Sequence, residues 1–149
     1  MRKSIILTVF LSLISLLGSV ALWAQEPLSV PERRELAMRR DLFVCKELEL
    51  SSEECAKLTA VLHQMDEERM AIWSDFCHLH LQVKKNPQTS RSEMTRYLKL
   101  KSECKIKDAK LVEEYSQKLS SILPPDKLIE LDKVQRRFGR EIARERCTK

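Results

Sequence analysis

Cys77-His78-Leu79-His80 packs more potential chemistry into four residues than any other stretch of the chain. On a helix Cys77 and His80, three apart, share a face, and a thiolate beside an imidazole suits an ion such as Zn, Cu or Ni. Two ligands make half a site, so a third would have to come from another helix or a second chain. His63 lies about four turns earlier and cannot join them on one helix. The plainer reading is that these are incidental residues near a helix end.

The other chemistry-bearing residues are the remaining cysteines, Cys45, Cys55, Cys104 and Cys147. Residues facing each other across an antiparallel helical hairpin are equally far from its turn. Cys45 and Cys55 are centred near residue 50, and Cys104 and Cys147 near Pro124-Pro125, so both pairs fit as disulfides. Cys77 with Cys104 is centred near 90, which gives Cys104 a second partner in reach. The preferred pairing joins Cys45 to Cys55 and Cys104 to Cys147, the latter closing a loop of about 42 residues for roughly 3–4 kcal/mol. Buried thiols acting as small hydrophobes are the alternative.

Disulfides need an oxidising compartment, and the first residues point to one. Met1-Arg2-Lys3-Ser4 is a basic head, and 5–24 is an almost unbroken apolar run ending at Ala24. This is expected to be an export signal spanning 1–24, removed to leave one domain over 25–149 in the periplasm. Its length, near 30 Å as a helix, would also let 5–24 remain as a membrane anchor.

The whole chain carries 27 Lys and Arg against 22 Asp and Glu. Removing 1–24 takes away Arg2 and Lys3 and no acid, leaving 25 against 22. So mild and mixed a charge is a solvated helical surface, and no nucleic acid is expected as a partner. With two glycines, few aromatics and long stretches of Leu, Glu, Lys, Arg and Ala, the composition is all-α.

Three breaks divide the chain. Ser51 with Glu54 three residues later reads as a capping box, 84–92 holds Asn86, Pro87, Thr89 and Ser90, and Pro124-Pro125 must interrupt a helix. Four helices follow, near 31–48, 52–84, 91–122 and 125–146. The second has a heptad seam of Cys55, Leu58, Leu62, Met65, Arg69, Ile72, Phe76, Leu79 and Val83. Arg69 reads as a polar break there, so Arg69→Leu is expected to raise the melting temperature. The third helix has a thinner stripe of Met94, Leu98, Cys104, Leu111, Tyr115, Leu119 and Ile122, and the fourth a better one of Leu128, Leu131, Val134, Phe138 and Ile142. One strong stripe among weaker ones predicts an open or hooked antiparallel hairpin assembly, with a homodimer burying the long seam.

Leu50-Ser51-Ser52-Glu53-Glu54 before Leu58 has an echo in Leu123-Pro124-Pro125-Asp126-Lys127 before Leu131. Such paired helix starts in an exported all-helical chain resemble the Spy/CpxP-like (LTxxQ-type) family of periplasmic chaperones and heavy-metal or envelope-stress sensors. Ser51 and Pro124 stand where that pattern has threonine, and Glu54 and Lys127 where it has glutamine. The ending, with Arg136-Arg137-Phe138-Gly139-Arg140-Glu141, is similar to the Bacteroidetes branch associated with extracytoplasmic-function sigma factors.

The resemblance implies a chaperone or stress modulator whose partners are unfolded or envelope proteins. Its alternative is a metal- or redox-responsive sensor that signals to a membrane anti-sigma factor. A chaperone needs apolar groups interleaved with charge. The candidate client or partner residues are Arg33, Arg34, Leu36, Arg39, Arg40 and Phe43 on the first helix, with Met70 and Trp73 on the second. No nucleophile–base pattern or phosphate-binding glycine loop is visible, so no enzyme is expected and no catalytic residue is named.

Overall fold

A computed structural model describes residues 28–148. The expected export signal over 1–24 lies outside the described residues. Four helices and no strand are present among them: α1 Val30–Glu47, α2 Ser52–Lys85, α3 Arg91–Ile122 and α4 Pro125–Cys147. None of these helices is long and apolar enough to cross a membrane.

The helix ends are written in short polar signatures. Ser29 with Glu32, Ser51 with Glu54, and Ser90 with Glu93 form capping boxes that satisfy the first free N–H groups of α1, α2 and α3. Pro124 and Pro125 open α4, where a proline costs no hydrogen bond. α1 stops in a Schellman motif: the Leu50 N–H donates to the Cys45 carbonyl at 3.0 Å and the Glu49 N–H to that of Lys46 at 3.1 Å. Glu49 takes the left-handed conformation this motif needs, with φ 50°. Leu50 is thereby turned onto the core.

Across that turn Cys45 and Cys55 form a disulfide, S–S 2.02 Å, tying the end of α1 to the start of α2. Cys104 and Cys147 are free thiols, as is Cys77, which corrects the second expected bridge. The reason is facing rather than register. Cys104 points into the α2–α3 seam, its Sγ donating to the Ile72 carbonyl at 3.2 Å, while α4 lies mainly against α1.

α2 and α3 make a long antiparallel hairpin, and α1 and α4 cover only the end remote from its 86–90 turn. There Val44, Leu48, Leu58, Leu62, Leu119, Leu123, Leu131 and Val134 form the main core. Met65, Leu111, Val112 and Tyr115 continue it between α2 and α3. Tyr115, 1 % exposed, donates to Glu68 Oε1 at 2.6 Å.

Arg69 ends the covered half of the seam. Its Nε donates to Asp108 Oδ1 at 2.7 Å, and both residues are buried. Asp108 occupies the α3 seam position where an apolar residue was absent from the sequence pattern. Arg69 is therefore half of a buried ion pair, and this overturns the expectation that its removal stabilises the fold.

Replacing one partner strands the other charge in the core. Arg69→Leu or Asp108→Leu alone is expected to cost about 3–5 kcal/mol in urea unfolding. The double Leu variant should return to wild-type stability or exceed it by about 1–4 kcal/mol. A stabilised Arg69→Leu single variant would show that the pair is not formed.

Burial, then the hydrogen bond to Glu68, pushes the Tyr115 phenol up to about 12. The fold thus prefers the neutral phenol. Its contribution is complete below the unfolded value near 10 and is lost as pH rises toward 12. Unfolding midpoints should fall over that window and fall less in Tyr115→Phe. An identical decline in the two proteins would remove Tyr115 as the cause.

Candidate partner-binding face

The arginines of α1 are spent largely inside the molecule. Arg39 donates to Glu145 of α4 at 2.8 and 3.0 Å. Arg40 is buried, with Asp41 at 3.0 Å and Asp66 at 2.5 Å. Phe43 packs on Phe138 with centroids 5.6 Å apart, and the Arg137 guanidinium lies 5.2 Å over its ring. Arg33 Nη1 reaches Met70 Sδ at 3.4 Å, Leu36 is half-buried and Arg34 is exposed. Most of the basic cluster is an internal clasp joining α1 to α2 and α4.

Cys77 and His80 share a face of α2, as their spacing requires. His80 Nδ1 lies 2.9 Å from the Tyr97 hydroxyl, and its ring sits 5.8 Å from those of Phe76 and Tyr97. His80 Nε2 is buried without a hydrogen-bond partner. Among the described residues no group of three or more His, Cys, Asp and Glu side chains converges to hold a metal ion. α2 therefore offers two ligand types on one face.

A different surface emerges from helix lengths. The Arg33–Met70 contact places the start of α1 beside residue 70 of α2, and the Arg39–Glu145 pair places the end of α4 beside the middle of α1. Both short helices thus run out near the level of Arg69–Asp108. Beyond it, 71–85 of α2 and 91–107 of α3 stand as a two-helix arm roughly 22 Å long.

The inner face of the hairpin continues onto this arm without a cover from α1 or α4. On α2 the stripe that begins under α1 runs on through Met70, Trp73, Cys77 and Leu81, all half-buried. On α3 the stripe of Val112, Ala109, Lys105, Lys101, Leu98 and Met94 is closed at one end and open at the other. Val112 is 5 % exposed and Leu98 54 %. The same side of the same helix is core at the covered end and surface on the arm.

Charge follows the same division. Residues 71–107 carry eight Lys and Arg against three Asp and Glu. The rest of 25–149 carries 17 against 19, so the net positive charge of these residues is concentrated on the arm. Lys101, Lys105 and Arg91 lie on the open face. Asp75 and Glu103 line a groove on another side, with His78, Arg96 and Lys99. An apolar strip with a cationic rim can hold an apolar, acidic segment by burial at short range and attraction at long range.

Sequence reading found Met70 and Trp73 on this face and missed its α3 half. There the single stripe drawn through Met94, Leu98 and Cys104 merges two: Cys104 belongs to the seam with α2, and Met94 and Leu98 to the open side. The signal that separates them is helix length, since the boundaries already imply two long helices and two short ones.

The three free thiols report on this arrangement. Burial, and next the neighbouring Cys104, raises the Cys77 thiol above its ordinary value, and burial raises Cys104. With a disulfide-exchange reagent Cys147 should react first, Cys77 more slowly and Cys104 only on unfolding. Finding one reactive thiol instead of three after denaturation would restore the Cys104–Cys147 bridge. Neither known protein families, nor characterised proteins, nor solved structures contain a match to this chain.

Proposed function

We propose that this chain is an exported, non-enzymatic helical protein that holds unfolded or partner protein segments, acting as a Spy/CpxP-like chaperone or envelope-stress modulator. The observation that carries this reading is the open arm face, where core-type side chains continue past the ends of α1 and α4 and are rimmed by lysine and arginine. Trp73, Met70 and Cys77 supply large, adaptable apolar contact, and Met94 and Leu98 extend it. The apolar leader over 1–24 and the Cys45–Cys55 disulfide support an oxidising compartment outside the cytoplasm. Such a compartment is where exposed segments of envelope proteins need a holder.

A second reading, a redox-responsive sensor that signals to a membrane anti-sigma-type partner, is favoured by one observation. Cys77 is a free thiol in the middle of the open face. Modifying it would add bulk or charge where a partner would sit, so oxidation would change affinity directly. A bound Zn, Cu or Ni ion at Cys77 and His80 would act at the same place once a further ligand was supplied by the partner.

Light scattering of an aggregating client tests the first reading, using residues 25–149, which contain every described helix. Wild type should suppress aggregation without metal. Leu98→Asp combined with Met94→Asp should reduce that suppression several-fold without loss of helicity, while Ile129→Asp on α4 should not. Equal suppression by the arm variant, or none by wild type, would contradict the reading.

A further inference from the structure

The α2 seam, which the sequence assigns to a homodimer, is filled by α3 of the same chain. The neighbouring face of α2 carries α1 on the covered half, where Asp66 takes the Arg40 guanidinium and Met70 Sδ that of Arg33. Trp73, Cys77 and Leu81 continue this stripe at spacings of three and four, past the point where α1 begins. Where the stripe is covered, its cover is a helix.

We propose that the occupant of the arm is an acidic amphipathic helix of another protein, laid along the open face past the start of α1. This rests on the reading of the arm as a holding surface, and adds the conformation and charge of what it holds. Residues 71–85 and 91–107 are helical, so away from their capped ends at the 86–90 turn their N–H and C=O groups are bonded within their own helices. The arm has no sheet edge to offer, and an extended segment would bury its own backbone polar groups unpaired. A helix brings its backbone already satisfied. An arm roughly 22 Å long takes about 15 residues of helix, enough for one apolar stripe of four turns against Trp73, Cys77, Leu98 and Met94.

Charge gives the sign of the partner. α1 is rich in arginine and meets Asp66 on α2, but on the arm the polarity is reversed. Lys101, Lys105 and Arg91 lie on the open face, whereas the three acids of 71–107 are turned elsewhere. Glu93 closes the α3 capping box, and Asp75 and Glu103 line the groove on the other side. Lys101 and Lys105 are one turn apart, so carboxylates one turn apart along the flank of a docked helix meet both. A basic helix such as α1 meets like charge there. An isolated helix of this length is marginal in water, so docking and helix formation occur together.

Trp73 reports on the face directly, because the other tryptophan of the chain, Trp23, is not part of residues 25–149. A peptide of about 15 residues of Leu, Ala and Glu, with its leucines on one helical stripe, should shift Trp73 emission to the blue when mixed with residues 25–149. The mixture should show more helix by circular dichroism than the sum of its parts. A central proline, scattered leucines, or Lys in place of Glu should each weaken binding about tenfold or more. Lys101→Glu with Lys105→Glu should reverse the preference between the Glu and Lys peptides while the protein keeps its helicity. Equal affinity for the proline peptide would overturn the helical occupant, and an unchanged charge preference in the double variant would overturn its placement. Suppression of client aggregation with no peptide bound would remove this inference alone, whereas neither suppression nor binding would remove the holding reading beneath it. Binding of phosphatidylglycerol vesicles in place of the peptide would give the face to a lipid surface and equally overturn the proposal.

Discussion

The structure depends on a mismatch of length. α2 and α3 run for 34 and 32 residues, whereas α1 and α4 run for 18 and 23. Four helices can share one core only as far as the shortest reaches, so this core must end part-way along the hairpin. Past that point the hairpin keeps its own seam, through Phe76, Leu79, Tyr97 and Cys104, but loses the helices that close its inner side. Among the described residues an apolar face is left open as the geometric consequence, and no special loop or cavity is needed to make it.

The buried Arg69–Asp108 pair stands at this transition. Hydrophobic side chains there would pack as well or better, since removing two charges from water is costly. One effect of keeping them is register: α2 and α3 cannot slide by a turn without burying both charges unpaired. The pair thus fixes which part of the hairpin is covered and which part projects. The clasp on the covered half does related work. Arg40 with Asp41 and Asp66, Arg39 with Glu145, and Arg137 with Glu47 hold α1 between α2 and α4, and the disulfide anchors its far end.

Much of the architecture was legible in the sequence because helix signals are local. Capping boxes, the Pro-Pro break and the α2 heptads act within a few residues, and they place the four helices without reference to the fold. The Cys45–Cys55 pairing was readable because a short turn fixes its register. Arg69 was visible as an anomaly and misread, because its meaning lies in Asp108, 39 positions away. The arginines of α1 looked like an open patch for the same reason: their acids sit on other helices. Cys104 and Cys147 show the limit of register arguments, which give height along a hairpin but not the side of a helix. The candidate face was half legible, since Met70 and Trp73 could be chosen by type, while the openness of Leu98 depends on where a distant helix stops.

Site-specific photocrosslinking decides whether the arm holds segments of other proteins, as proposed. A photoreactive side chain in place of Leu98, in residues 25–149 mixed with an unfolding client, should capture that client. The same group in place of Ile129, on the covered half, should not. Capture from position 129 with none from 98 would contradict the account, because the uncovered inner side of the hairpin would then be surface without a binding role.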